Sequence, residues 1–215
     1  MYNVIVMLKI SKFYKALIGI CIGAIILNIA RLFLSDVQSY IWMNWNLFLG
    51  LLPLLFSFLA LRANKKSLKI LAMLAWLFFL PNAPYMVTDF IHLAAVGPQS
   101  LLWFDAIMLF FYTLAGLLAY GRSLSDIQSA FSWNRWFAVI IAVLSGFGIY
   151  LGRYIRFNTW DLVTKPLEIL ETVGEAIIYP SQHKPVVMMT LVFTIFLTIF
   201  YFSFESFFSH EKTKN

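Results

Sequence analysis

Long apolar runs separated by short polar connections dominate the chain. An α-helix needs about 20 mostly apolar residues to cross the hydrocarbon core of a bilayer. Six runs reach this length, so the pattern predicts an all-α polytopic bundle that forms a single transmembrane domain over residues 1–215. The predicted spans are 16–34, 45–61, 70–88, 101–120, 136–155 and 186–207.

Two prolines interrupt the third run. Pro81 and Pro84 lie about eleven residues beyond its start, and proline removes a backbone donor and clashes with the preceding helical turn. A broken helix at membrane depth is tolerated where its freed backbone groups face protein or a water-filled cavity. The sequence therefore predicts a broken third helix, as a packing kink or as a pocket wall. Whether this segment spans fully or re-enters stays open.

The connection before the last run has a different pattern. Pro166 opens a stretch in which apolar residues and the glutamates Glu168, Glu171 and Glu175 fall on separate helical faces. Proline is common at the first position of a helix, and separated faces are typical of helices that lie on a membrane surface. We expect an amphipathic helix on the outer surface, either passive or acting as a lid.

Composition and charge agree with a membrane protein. Hydrophobic residues make up 61% and charged residues only 12%, against about 25% charged in soluble domains. The net charge of +6 does not indicate a nucleic-acid partner, because eleven of the 16 lysines and arginines lie on one predicted side of the membrane. They are in the two terminal segments and in every second connection between the runs. Such residues mark the cytoplasmic side. We expect a multi-pass plasma-membrane protein with both termini inside and the lipid bilayer as its surroundings.

Polar residues gather at the predicted outer ends of the spans. Asp105 lies four residues into the fourth span, where a carboxylate is costly and normally paired. Arg153 or Arg156 is the expected partner that keeps it ionised. The supporting polar network predicted at this depth consists of Asp105, Asp161, Asn82, Arg31 and Asn46.

Asp89 and His92 follow the broken run directly. Residues three apart share a helical face, and an Asp–His pair can orient an imidazole for acid–base chemistry or bind a metal. The functional hypothesis makes this the catalytic pair; the alternative is a solvated pair at a helix end. Histidines are too few to favour a metal, so we expect no metal and no cofactor.

Two arginines end the fifth run on the outer side, where topology does not favour them. On a helix, Arg153 and Arg156 would point the same way, and two parallel guanidinium groups suit a carboxylate or phosphate. With Asn158 they form the predicted anion- or substrate-binding group; a salt-bridge role is the alternative. Gly148 and Gly152 form a face that would let another helix approach closely.

Two segments resemble marker motifs of a known family. Residues 80–89 read Leu-Pro-Asn-Ala-Pro-Tyr-Met-Val-Thr-Asp, and residues 150–161 read Tyr-Leu-Gly-Arg-Tyr-Ile-Arg-Phe-Asn-Thr-Trp-Asp. Together with residues 46–49 and 103–105 they resemble a bacterial integral membrane family known as domain of unknown function 1361. The resemblance covers roughly residues 40–170. It implies a bacterial plasma-membrane protein with several spans, and it transfers no catalytic residue.

Three functional hypotheses follow. The first is a protein that acts at the outer leaflet on a lipid-linked or anionic envelope substrate; whether it is an enzyme stays open. The second is a non-catalytic scaffold for another membrane protein, with the glycine face of the fifth span as its contact. The third is a small transporter, which the lack of an inverted repeat and of matching inner polar groups disfavours.

Overall fold

The computed structural model describes residues 12–34, 40–93, 99–157, 164–179 and 184–209. Within these ranges the chain is helical and contains no strand. Six helical segments are long and apolar enough to cross a membrane, and each contains one predicted span. They are Lys12–Leu34, Trp42–Arg62, Lys66–His92, Gln99–Phe131, Trp136–Ile155 and Lys184–Phe208. The predicted helical transmembrane bundle is therefore confirmed.

The described residues form eight α-helices, two 3-10 helices and one π-helical turn. The α-helices are α1 (Lys12–Leu34), α2 (Trp42–Arg62), α3 (Lys66–Phe79), α4 (Asn82–Tyr85), α5 (Leu102–Phe131), α6 (Trp136–Tyr150), α7 (Pro166–Ile178) and α8 (Lys184–Ser209). Two 3-10 helices cover Met86–His92 and Gln99–Leu101, and a π-helical turn covers Leu151–Ile155.

Helix α5 is the centre of the bundle. It packs against α1, α2 and α4, and its buried residues join two apolar clusters. Met108 and Tyr112 belong to the cluster shared with α1 and α2, while Tyr120 and Leu124 belong to the cluster shared with α3, α6 and α8. At 1.5 Å per residue its 30 residues extend about 45 Å, longer than the hydrocarbon core. The helix thus continues well past the predicted end at residue 120.

The third segment is broken, as the prolines predict. Helix α3 ends at Phe79, and the chain continues through α4 into the 3-10 helix. Pro81 and Pro84 have no N–H to donate to the preceding turn. The Asn82 side-chain nitrogen donates to the freed Phe79 carbonyl at 3.1 Å, and the Tyr85 N–H donates to the Pro81 carbonyl at 3.1 Å. Asn82 therefore supports the break itself.

Glycines allow the broken segment to lie between its neighbours. A methyl group on Gly116 of α5 would overlap the Ala83 carbonyl oxygen, and one on Gly50 of α2 would lie 3.3 Å from the Ala83 Cα. The backbone of α4 thus contacts two helices directly. This packing fixes the direction in which the following 3-10 helix leaves the break.

The glycine face of α6 and its π-helical turn is filled from within the chain. A methyl group on Gly148 would lie 2.6 Å from Pro81 Cγ, and one on Gly152 would lie 3.2 Å from Tyr85 Cε2. The hypothesis that this face contacts another protein is therefore wrong. The small residues instead let the fifth span approach the broken third segment.

Helix α7 has the predicted amphipathic pattern. Pro166 is its first residue, and the exposed Lys165 and Glu168 form an ion pair at 3.3 Å before and within its first turn. Leu167 and Ile178 are 72% and 67% exposed. Apolar side chains left open in this way suit contact with lipid headgroups and chains.

Candidate functional site

The 3-10 helix Met86–His92 aims three polar side chains at one arginine. A 3-10 helix has three residues per turn, so residues three apart eclipse one another. Asp89 and His92 accordingly lie on one face, as the sequence predicts, and both contact Arg153 of the π-helical turn. Thr88, next to Asp89, also contacts this arginine.

The guanidinium group of Arg153 contacts four side chains. Its Nε donates to Thr88 Oγ1 at 2.8 Å and its Nη2 to the same oxygen at 2.5 Å. Its Nη2 also donates to Asp89 Oδ1, and its Nη1 lies 3.2 Å from His92 Nε2. The guanidinium carbon stands 4.6 Å from the centre of the Tyr85 ring, a cation–π contact. These five residues are called the Arg153 cluster below.

Asp89 is fully buried, and both of its carboxylate oxygens accept hydrogen bonds. Its Oδ1 accepts from Arg153, and its Oδ2 accepts from Asn46 Nδ2 at 3.2 Å. Its side chain is 0% exposed, against 15% for Arg153. A buried carboxylate persists only when it is paired and hydrogen-bonded. Asn46, a predicted network residue, supplies the second of these bonds.

The contact with Arg153 determines how His92 can be protonated. A guanidinium group only donates, so His92 Nε2 must be the acceptor, and the neutral ring then carries its proton on Nδ1. The Trp42 ring packs edge-on against this imidazole at 5.2 Å. Arg153 thus stands between Asp89 and His92. A catalytic role for the pair stays a prediction.

Arg153 and Arg156 are not equivalent, which corrects the expectation of two parallel guanidinium groups. Residues 151–155 form a π-helical turn, and Arg156 has a left-handed backbone with φ 63°. The α-helical spacing that would align the two side chains therefore ends before Arg156. Its side chain is exposed, and within the described ranges it forms no ion pair.

The partner of Asp105 is Arg31, so the expected pairing with Arg153 or Arg156 is wrong. Arg31 Nε donates to Asp105 Oδ1 at 2.5 Å and its Nη2 to Oδ2 at 3.3 Å. Both side chains are only 1% exposed. The physical reason is that α1 packs directly on α5, whereas Arg153 is already paired with Asp89.

Tyr40, which sequence reasoning missed, lies near the Arg31–Asp105 pair and contacts His92 of the Arg153 cluster. Its hydroxyl donates to the His92 carbonyl at 3.3 Å, and its own carbonyl accepts from Asn28 Nδ2 at 2.8 Å. Burial first, and the Asp105 carboxylate second, raise the pKa of Tyr40 to about 12. The hydroxyl therefore stays protonated and remains a donor at neutral pH. A lone tyrosine in a loop carries no sequence signal of this role.

The predicted site residues thus fall into separate groups. Asp89, His92 and Asn46 join Arg153, whereas Arg31 and Asp105 form a second, buried pair. Asn82 serves the helix break. Asn158 and Asp161 lie outside the described residues.

A lateral groove begins at the Arg153 cluster. It has a volume of about 630 Å³, with Thr88 and Arg153 as its polar lining residues. The rest of the lining comes from the 3-10 helix, the π-helical turn and the first half of α8, and it is apolar except for the Tyr154 hydroxyl. Ile91, Tyr154, Met188 and Val192 of this lining are 57–68% exposed. The groove is therefore open towards the surrounding lipid.

The fold and this arrangement define a multi-pass α-helical membrane protein with buried ion pairs at one end of the bundle. The profile of a family described as "Protein of unknown function (DUF1361)" matches residues 45–200. The chain belongs to this family, and α1 with Arg31 precedes the matched part. Comparisons with curated proteins and with solved structures give no match.

Proposed function

We propose that this protein binds an anionic envelope compound that carries an apolar chain, such as a lipid or a lipid-linked precursor. The observation that carries the proposal is the position of Arg153 at the polar end of an apolar groove open to lipid. The guanidinium donors of Arg153 beside an apolar groove, with the exposed cation Arg156 three residues further along, match the polar and apolar parts of an amphiphilic anion. Ligand pockets typically have volumes of about 300–1,000 Å³, and this groove falls within that range.

The described residues suggest a division of roles. Arg156 is exposed and unpaired among the described residues, so its guanidinium is available to an anion. Its left-handed backbone caps the π-helical turn, where the Arg156 N–H donates to the Leu151 carbonyl. Asp89, His92 and Thr88 position Arg153. Asn158 stays a predicted ligand-binding residue.

Binding is supported better than acid–base catalysis. Both carboxylate oxygens of Asp89 accept hydrogen bonds, and Nε2 of His92 accepts one from Arg153. A general base must reach the proton that it removes, and these acceptors face the arginine instead. Asp89 and His92 therefore act in this proposal as residues that hold the binding arginine.

The proposed side of action is the outer leaflet. Lysines and arginines are concentrated at the opposite end of the bundle, as the positive-inside rule requires of the cytoplasmic side. The groove would then meet lipids and lipid-linked compounds of the cell envelope as they diffuse in the membrane. Entry from the side needs no passage through the bundle.

The test is lipid binding by the purified protein in phosphatidylcholine nanodiscs. Native mass spectrometry would count phosphatidylglycerol molecules retained as its proportion is raised. We expect Arg156→Gln to weaken retention about tenfold, the usual value of a charge-assisted hydrogen bond. Lys66→Gln, the same loss of charge at the exposed opposite end, is the matched control. Equal retention by both variants would contradict the proposal.

A further inference from the structure

The hydrogen bonds of Arg153 leave it one free donor. A guanidinium group has five N–H hydrogens. The Nε hydrogen and both Nη2 hydrogens are directed at Thr88 and Asp89, and one Nη1 hydrogen is directed at His92. The remaining Nη1 hydrogen has no acceptor among the described residues, and Arg153 lines the groove.

The charge of Arg153 is already balanced. Asp89 is fully buried against it, so an anion bound directly to Arg153 would lie close to a second negative charge, and like charges at short range repel. An uncharged acceptor, such as an ester carbonyl oxygen, would take the free Nη1 hydrogen without this repulsion. Thr88 offers no competing donor, because its hydroxyl donates to the Tyr85 carbonyl at 2.7 Å.

Arg156 provides the complementary feature three residues further along. It is exposed and carries a positive charge without an ion-pair partner within the described ranges. The two arginines are therefore suited to bind different groups of a ligand. Arg153 suits a neutral oxygen beside the groove, and Arg156 suits an anionic group outside it.

We infer that the groove takes an acylglycerol phosphodiester: a lipid with an ester carbonyl next to its chain and one negative charge beyond it. This inference rests on the proposed function and narrows it to one chemical class. The chain occupies the groove along α8, the ester carbonyl accepts from Arg153, and the phosphodiester binds Arg156. A polyprenyl phosphate, whose chain is joined to the phosphate through a single bridging oxygen, has no ester carbonyl and so lacks the group that Arg153 binds.

Two probes that differ in one carbonyl test this inference. Palmitoyl lysophosphatidylglycerol and its hexadecyl ether analogue would compete with a fluorescent phosphatidylglycerol bound to the full chain in phosphatidylcholine nanodiscs. We expect the ester to bind about threefold to tenfold more tightly, the usual value of one hydrogen bond. Arg156→Gln should weaken both probes and preserve their ratio. Lysophosphatidic acid, as a dianion at pH 8, should gain no advantage over the ester probe.

The outcomes separate the inference from the function on which it rests. Equal binding of ester and ether, with both dependent on Arg156, would overturn the inference and leave the proposed function intact. Tighter binding of the dianion would also overturn it. Binding that is insensitive to Arg156→Gln for every probe would overturn the proposed function itself.

Discussion

Arg31 Nε lies 2.5 Å from Asp105 Oδ1, and both side chains are almost completely buried. This ion pair joins the end of α1 to the first turn of α5. Arg31 Nη1 has no hydrogen-bond partner among the described residues. The positive charge of this buried side chain is therefore balanced almost entirely by the Asp105 carboxylate. The two residues should therefore respond very differently to mutation.

Asp105→Asn should destabilise the protein more than Arg31→Gln. Removing one member of a buried pair costs about 3–5 kcal/mol when the other charge stays. Arginine cannot lose its proton in a protein, so Asp105→Asn leaves a buried cation without a compensating charge. The free energy of unfolding in detergent would measure both variants. The double variant should be more stable than Asp105→Asn alone; strict additivity would contradict the pairing.

The Arg122–Asp126 pair is the matched control for the double-mutant cycle of Arg31 and Asp105. Its Nε–Oδ2 distance is 3.0 Å, but the side chains are 31% and 21% exposed and lie four residues apart on α5. Such pairs contribute about 0.3–0.5 kcal/mol. Arg122→Gln and Asp126→Asn should therefore show a coupling several times smaller than that of Arg31 and Asp105.

Gly116→Ala should disrupt the packing of the broken helix. The added methyl would overlap the Ala83 carbonyl oxygen, and overpacking of this kind typically costs about 1–3 kcal/mol. Gly19→Ala on α1, where the added methyl would meet no atom of the described residues within 4 Å beyond its own helical backbone, should instead be neutral or stabilise by about 0.5–1 kcal/mol. Melting temperatures of the two variants would decide, and equal shifts would contradict the close approach of α4 to α5.

Tyr40→Phe should have an effect that changes with pH. At neutral pH the variant loses the hydrogen bond to the His92 carbonyl, worth about 0.5–1.5 kcal/mol. Burial raises the pKa of Tyr40 from its usual 10 to about 12, so its stabilising contribution is complete below pH 10 and declines as pH rises towards 12. Melting curves at pH 7 and pH 10.5 should show the gap between wild type and variant narrowing. A gap that widens would contradict the burial of this hydroxyl.

Cysteine labelling tests the orientation of the bundle. Ser67, at the start of α3, and Ser100, just before α5, are both exposed and lie at opposite ends of the bundle. In a Cys21→Ser background, Ser100→Cys should react with an impermeant thiol reagent in intact cells, and Ser67→Cys should react only after lysis. The reverse pattern would place the Arg153 cluster on the cytoplasmic side.

Local sequence rules were sufficient for the spans and the break. Apolar runs of spanning length identify the helices, and Pro81 and Pro84 identify the interruption because each removes a backbone donor wherever the segment packs. The position of Asp89 and His92 on one face also follows from spacing alone, since residues three apart align in both α- and 3-10 helices.

The same rules could not predict which side chains pair and which segments pack together in the folded protein. The sequence pattern puts Arg31, Arg153 and Arg156 at the same predicted end of their spans, and only the packing of α1 on α5 selects Arg31 for Asp105. The π-helical turn and the left-handed Arg156 have no signal in a pattern that reads as continuous helix. The glycines predicted a close contact correctly, but whether it lay within the chain or with a partner depended on where Pro81 packs.

Photo-crosslinking tests the central claim, that a lipid chain lies in the groove that begins at Arg153. The probe is phosphatidylglycerol with a diazirine at the end of its acyl chain, added at low proportion to phosphatidylcholine nanodiscs. We expect adducts on Met188, Val192 or Ile91 of the groove, reduced by Arg156→Gln and unchanged by Lys66→Gln. Adducts spread evenly over lipid-facing residues elsewhere, such as Ile22 and Leu71, and insensitive to Arg156→Gln would contradict the account.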